Sequence, residues 1–361
     1  MRGGYQRAIR APSLGELFAP LIAQTLPSGT PSSPTSHRLT GDPCDVNSAY
    51  RNGPNAAQVI ALCEAQGVPA SLIPTYTYGS ESMFGVSGGN PDLHQETADT
   101  YSIGAVWNPQ FESDLLRNFD LSIDYFNIKI KEAIGSIALT DILQRCFNAD
   151  GVSNPGYSND NVYCKLLARD PSSGNVALGR QLLLNLATYR TAGVDLQLDW
   201  GFGLGAVGLA DSLGALRLNS IVSYTRSFDV ASLPGSPVLN FAGSIGNDSV
   251  SPEVAHPHWK AVTGLCYARA GLKAGVHWLY IGAMVHQSTI LDPRSVTPGV
   301  PAYNYFDVDA RYSFRNLELG LGVTNLSDKE PPAVSGAPLN TDPATYDIIG
   351  RAYFVNLKAT F

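Results

Sequence analysis

Tyr346–Phe361 reads YDIIGRAYFVNLKATF, and the fold of the chain turns on this stretch. From Arg351 the side chains alternate. Tyr353, Val355, Leu357, Ala359 and Phe361 fall on one face of an extended strand, and Ala352, Phe354, Asn356, Lys358 and Thr360 on the other. The first face is apolar to the last residue. Soluble domains usually end in polar tails, because terminal residues seldom bury enough surface to offset the entropy of ordering them. A chain that ends on a bare phenylalanine fits a strand whose outer face meets lipid and whose inner face meets a polar lumen, with the last ring in an interfacial girdle. Taken alone, the segment also fits the final strand of a soluble β-sandwich.

Composition narrows the choice. No run approaches the 18 apolar residues of a transmembrane helix, so a membrane-embedded form must be a closed β-barrel. The chain is rich in glycine and tyrosine and poor in methionine. Asn, Asp, Ser and Pro cluster between short alternating runs, which favours strands and long loops with little helix. The formal net charge of −7 argues against nucleic acid as a partner, because phosphate binding needs clustered Lys and Arg. It leaves a small-molecule ligand open. The opening MRGGYQRAIRAPS has neither an apolar signal segment nor a cleavage site and reads as the middle of a strand, so the expectation is that the front of the protein is missing.

Five cysteines are present. Cys44 with Cys63 and Cys146 with Cys164 form two local pairs, each inside a long polar loop, and are expected as two disulfides in an oxidising compartment. Zinc would need the closer CxxC-type spacing. Cys266 lies in an apolar run and is expected to be a free thiol, buried or facing lipid.

Ten strands follow in order. Residues 1–10 make the first, and RAPSLGELF then opens a loop of about eighty residues that closes at GGNPDLHQET, Gly88 to Thr97. TADTYSIGAVWNP and NFDLSIDYFNIKIKEAI flank a short turn near Glu112. In the second of these the apolar phase slips from Leu121, Ile123 and Tyr125 to Phe126, Ile128 and Ile130, so a bulge or a doubly covered rim is expected there. A loop over 138–185 leads to AGVDLQLDWGF, then LRLNSIVSYT, a long loop to Val254, HWKAVTGLCYARA, a tight turn at Gly271 and LKAGVHWLYIGAM. YFDVDARYSF, a turn at Arg315 and Asn316, LELGLGVTNL and one more loop precede the terminal strand. Val194, Leu196, Leu198, Trp200, Val222, Phe306, Val308, Leu319, Leu321 and Val355 should face outward. Asp195, Gln197, Asp199, Asp307, Asp309 and Glu318 should face inward. Long connections follow the odd-numbered strands and short ones the even-numbered strands, the asymmetry of an outer-membrane barrel with long extracellular loops and short periplasmic turns. Both chain ends then lie on the periplasmic side.

No chemistry-bearing constellation emerges. There is no G-x-S-x-G, P-loop or H-E-x-x-H, and neither a catalytic role nor a cofactor is expected. Asp195 and Asp199 have a spacing that an acid/base pair could use, but equally spaced carboxylates are also what a barrel lumen shows. His256 and His258 share a strand face without a third ligand nearby and read as rim or loop histidines, so no metal is expected. The segment TYTYGSESMF offers Tyr76, Tyr78 and Phe84 as candidate ligand contacts, since aromatics give rigid stacking area at small entropic cost. The alternative is that these rings pack the loop onto itself.

RAPSLGELF, GGNPDLHQETADTYSIG, VTNLSDKEPP and YDIIGRAYFVNLKATF, in that order, resemble the C-terminal barrel motifs of TonB-dependent outer-membrane receptors. The more specific pieces are GNPDL-x-x-E, NL-x-D-K-x-PP and the GR-x-Y ending with its final aromatic. The resemblance implies a barrel of about 22 strands, of which residues 1–361 are roughly the last ten, with the plug and the earlier strands absent. It implies energised uptake of a scarce large nutrient of siderophore, cobalamin or oligosaccharide type, driven by the TonB energy-coupling protein. It gives His94 and Glu96 a structural task at the base of the first loop, and makes Tyr353 and Phe361 part of the signal read by the barrel assembly machinery. The competing functions are a passive porin-like or adhesive barrel and a soluble carbohydrate-binding sandwich.

Overall fold

The computed structural model describes residues 1–109, 112–246, 254–337 and 339–360. Ten long strands form one antiparallel sheet in chain order: β1 Arg2–Arg10, β2 Glu96–Trp107, β3 Asn118–Ser136, β4 Val176–Gly203, β5 Ala215–Ala231, β6 Trp259–Arg269, β7 Leu272–Ile281, β8 Tyr303–Phe314, β9 Leu317–Thr324 and β10 Ala352–Ala359. Among the described residues β1 and β10 are not paired with each other, so the sheet is open. The connections alternate as expected. Those after β6 and β8 are two-residue turns that need left-handed backbone, at Ala270 (φ 43°), Gly271 (φ 87°) and Arg315 (φ 55°).

The register separates the two faces cleanly. Directly paired residues across an antiparallel sheet share a face. One row reads Phe119, Trp200, Leu218, Leu265, Val276, Val308, Val323 and Tyr353 across eight strands. The next row reads Asp120, Asp199, Asn219, Gly264, His277 and Asp307. All sixteen residues assigned to a face by alternation fall on the expected side. The polar face carries an ion pair of Arg217 with Asp199 at 2.8 Å and a hydrogen bond between His277 and Asp309 at 3.1 Å.

Among the described residues no second sheet covers the apolar face. The two hydrophobic cores lie mainly in the long connections and take in only strand ends such as Val176, Ile281, Tyr303 and Tyr305, while Ile123, Leu265, Val276 and Leu321 on the sheet are each 44–49% exposed. An uncovered apolar face of this extent is a surface made for another phase. Aromatic rings bound it at both ends. Tyr5 with Tyr101 (5.0 Å) and Tyr224 with Trp259 (4.5 Å) stand toward the long loops, and Trp107 with Phe119 (5.5 Å) and Trp200 with Phe202 (4.9 Å) toward the short turns. Along β2, β3 and β8 the two belts are six to eight residues apart, about 20–26 Å before tilt, close to the height of the apolar band of an outer-membrane barrel.

Two expectations need correction, and a third resolves between its alternatives. Of the bulge or doubly covered rim expected where the apolar phase slips in β3, the bulge is absent: pairing with β4 is unbroken from Asn118 to Ile130, and the irregularity falls later, at Ala133. The apolar residues change face because the strand runs past the aromatic belt, where the outer side is wet and the inner side packs under loops. For the same reason β4 begins at Val176, inside the span read as loop. Cys266 is a free thiol, but it is exposed and on the polar face. It is paired with Arg217 and Gly275 in the row of Asp309, and it lines a cavity of about 590 Å³ with Lys273 and Arg311. The apolar neighbours that made it look buried alternate away from it.

Candidate functional site

At the long-loop end, residues 11–95 and 137–175 fold together into a cap. The first contributes helix Ala56–Ala65 and the second helix Leu139–Cys146. The latter is amphipathic, burying Leu139, Ile142, Leu143 and Cys146. These side chains, with Leu62, Val59, Tyr50 and Phe147, form a single core that neither loop builds alone. The Tyr50 and Phe147 rings meet edge to face at 6.2 Å. Both disulfides lie inside the core, Cys44–Cys63 with Cα atoms 5.8 Å apart and Cys146–Cys164 at 4.8 Å. Each closes a short loop, so losing either by Cys→Ala substitution should destabilise the cap by about 3 kcal/mol. Faster proteolysis of the loops at an unchanged barrel content is the expected readout.

A buried ion pair joins the two loops. The Arg169 guanidinium donates to both carboxylate oxygens of Asp42 at 2.7 Å, and neither side chain is exposed. Arg169 also donates to Gln66 Oε1 at 3.1 Å, and the Tyr76 hydroxyl donates to Asp42 at 2.8 Å. Burial opposes charge on both partners, but their mutual attraction and paired hydrogen bonds outweigh it. Asp42 is held below the ordinary carboxylate range and Arg169 above its usual value.

The sequence motifs clasp one another at the base of this cap. Arg10, from RAPSLGELF, donates to Glu96 at 2.5 Å and to Glu16 at 2.9 and 3.0 Å. Ser13 and Glu16 complete a reciprocal capping box on the short helix Leu14–Phe18. The Glu16 carboxyl is pushed down to about 2, first by Arg10 and then by the Ser13 amide. Glu96 accepts from the Ile134 amide at 2.7 Å, and Asn90 donates to Leu183 O at 2.9 Å. Gly89 has to be glycine, since a Cβ would lie 2.7–2.8 Å from the backbone of Ala19 and Leu17. Asn185 holds His94 from both sides, accepting from its amide at 3.0 Å and donating to its carbonyl at 2.9 Å. Near the last strand, Asn325 exchanges two hydrogen bonds with the Lys329 backbone, and Asp328 accepts from the Arg351 amide at 2.9 Å. The NL-x-D-K and GR-x-Y segments are thereby tied together.

The three candidate contact aromatics part company. Tyr76 is 5% exposed and its hydroxyl is committed to Asp42 and Asn175, so it serves the interior of the cap. Tyr78 is half-buried against the same core and donates to Ser82 O. Phe84 is open, 54% exposed, on the strand Ser82–Gly88 that pairs with Ile22–Pro27 and with β4. His256 stacks on Phe228 and His258 on Tyr224, in the connection from β5 to β6. Tyr353 faces outward on β10, and Phe361 lies outside the described residues. The Asp42–Arg169 pair escaped the sequence reading, because its members are 127 residues apart and neither sits in a periodic run.

A sheet with one lipid-type face, one ionic face, two aromatic belts and all long connections at one end is the wall of an outer-membrane β-barrel. The chain belongs to the TonB dependent receptor-like β-barrel family, whose model matches residues 1–326. This is a family of Gram-negative outer-membrane receptors and transporters. A doubly substituted form of the ferric enterobactin receptor PfeA from Pseudomonas aeruginosa is similar in fold, with 18% identity, a TM-score of 0.54, and 99% of this chain covered against 38% of that one. The siderophore receptor PirA from Acinetobacter baumannii is similar at 16% identity and a TM-score of 0.51, with the same two coverages. The chain therefore spans well under half the length of these receptors. No curated protein matches it.

Proposed function

We propose that residues 1–361 form the last ten strands of the barrel of an energised outer-membrane receptor, with the long connections outside the cell and both ends of the segment in the periplasm. The observation that carries the reading is the pairing of an uncovered, aromatic-bounded apolar face with a disulfide-locked cap of fused loops at one end. A passive pore needs the wall but not the cap. The ligand is a scarce large nutrient met at the cap. Ferric siderophores come first for testing, ahead of cobalamin and oligosaccharides, because PfeA and PirA are siderophore receptors. The partners are outer-membrane lipid, the barrel assembly machinery and the TonB energy-coupling protein. Phe84 is the aromatic offered for ligand contact, and no catalytic step is assigned.

The test is uptake of iron-labelled siderophores by cells whose only siderophore receptor is the intact protein. Accumulation should stop when the energy-coupling protein is deleted, and uncoupled diffusion of small solutes at an unchanged rate would instead identify a passive pore. Assembly has its own expected outcome. The resemblance makes Phe361 the final aromatic of the assembly signal, so with Phe361→Asp the heat-modifiable form in the outer membrane should fall while synthesis and export continue. Normal abundance of that form would remove the targeting role from the last residue.

A further inference from the structure

Charge is placed unevenly along this chain. The five long connections, residues 11–95, 137–175, 232–258, 282–302 and 325–351, hold seventeen Asp and Glu against eight Lys and Arg, while the rest of the chain holds fourteen against sixteen. The surplus at the long-loop end exceeds the whole net charge of −7, and the strands with their short turns are slightly cationic. In the cap formed by the first two connections the count is ten acids against five bases, and most of those bases are committed inside it. Arg169 is buried on Asp42, Arg145 holds Asp150 and the Pro234 carbonyl, Lys165 reaches Asp160, and Arg51 donates to the carbonyls of Cys44 and Ile73. Glu64, Glu81, Asp92 and Asp141 are exposed, and among the described residues none of them has a cation within ion-pair distance. Against these four, Arg38 in the cap and Arg180, paired with Val86 two residues from Phe84, are the cations left without a carboxylate.

We propose that the ligand taken up here is a neutral or cationic ferric chelate, with its iron held by hydroxamate-type oxygens, and not a polyanionic catecholate or carboxylate chelate. The chemistry of the ferric ion makes this a choice of charge. Three singly charged hydroxamates cancel the charge of the ion, and a pendant amine turns the complex cationic. Three doubly charged catecholates leave a trianion. A trianion approaching the long connections meets a repulsion summed over all of them, and a cation is concentrated there, an effect of about 10- to 1000-fold on association. At contact a trianion also needs fixed Arg or Lys to receive it, and the cap has turned all but Arg38 inward. Phe84 offers such a chelate an apolar face, which asks for no charge. The inference rests on the receptor reading and adds the charge of the cargo. At 16–18% identity, PfeA and PirA share a fold with this chain and do not fix the charge of its ligand.

The experiment follows the binding of two ferric chelates to the intact protein in a nonionic detergent by quenching of tryptophan fluorescence. One is a linear tris-hydroxamate with a terminal amine, the other a tris-catecholate. At an ionic strength of about 0.01 M the tris-hydroxamate should bind roughly tenfold more tightly. The preference should shrink several-fold at about 1 M, where charges act over about 3 Å instead of about 30 Å. Replacing the four free acids together, as Glu64→Gln, Glu81→Gln, Asp92→Asn and Asp141→Asn, should raise the association rate of the tris-catecholate roughly threefold with its dissociation rate unchanged, because peripheral charges act on encounter. The salt titration uses the wild type alone and decides the matter even if that variant does not fold. The proposal is overturned if the tris-catecholate binds as tightly as the tris-hydroxamate at low ionic strength, or if the preference ignores salt. Tighter binding and uptake of the tris-catecholate would remove the charge assignment and leave the receptor reading standing. If neither chelate binds, and cells carrying the intact protein take up iron from neither, the siderophore-receptor reading falls and the charge assignment with it.

Discussion

Arg169→Ala should destabilise the cap by about 3–5 kcal/mol, because it leaves the Asp42 carboxylate buried without its counter-charge. The expected result is rapid proteolysis within 11–95 and 137–175 while the strands remain heat-modifiable. Asp42→Ala should do the same from the other side, stranding the guanidinium. Replacing both, as Asp42→Leu with Arg169→Met, removes the charges together and should recover most of the loss, since apolar side chains of similar volume often substitute for a buried pair at little cost. If the double variant opened as readily as the singles, the cap would depend on those side chains for packing and not for charge. The pair also has a signed pH dependence. Asp42 titrates below its unfolded value, so its contribution is full above the ordinary aspartate range and is lost only as pH falls through the depressed folded value. The cap should therefore survive mild acid and open in strong acid.

Leu196→Arg should cost about 2–4 kcal/mol in a bilayer, and Gln197→Arg much less, although the two positions are adjacent. Leu196 shares a row with Ile123, Val222 and Ala261, between the two aromatic belts. Gln197 shares one with Ser122 and Ile221 on the other face. Urea titration of the intact protein in phosphatidylcholine vesicles reads the difference directly. Equal costs at both positions would mean that both faces meet the same environment, and the barrel reading would fail.

The strands were legible because a two-residue period survives wherever one face is lipid and the other water. Asp195, Gln197 and Asp199 against Val194, Leu196 and Leu198 needed no other information. Legibility stopped at the aromatic belt. Beyond it, Leu182 to Tyr189 lie on a strand that packs under loops on one side, so the apolar and polar residues no longer alternate and the stretch reads as loop. Cys266 was misjudged for a related reason: identity was read from an apolar run when parity decided the face. The disulfides were visible because each is local. The contacts that fuse the cap are not, with Gln66 and Arg169 separated by 103 residues and joined only after the sheet has brought the two loops side by side. The motifs gave the loop base as a family signature, and the coordinates supply the reason in the reciprocal bonds among Arg10, Glu16 and Glu96.

The shared core of the cap also limits how such a receptor can diversify. Residues 11–95 and 137–175 each supply nearly half of one interior, so a volume change in one has to be answered in the other. Recombination with a breakpoint between residues 95 and 137 would join two half-interiors that had never met, and selection would remove most of the products. New specificities should therefore pass between related genes as one cassette, from about residue 11 to about residue 175, that carries β2 and β3 along as passengers.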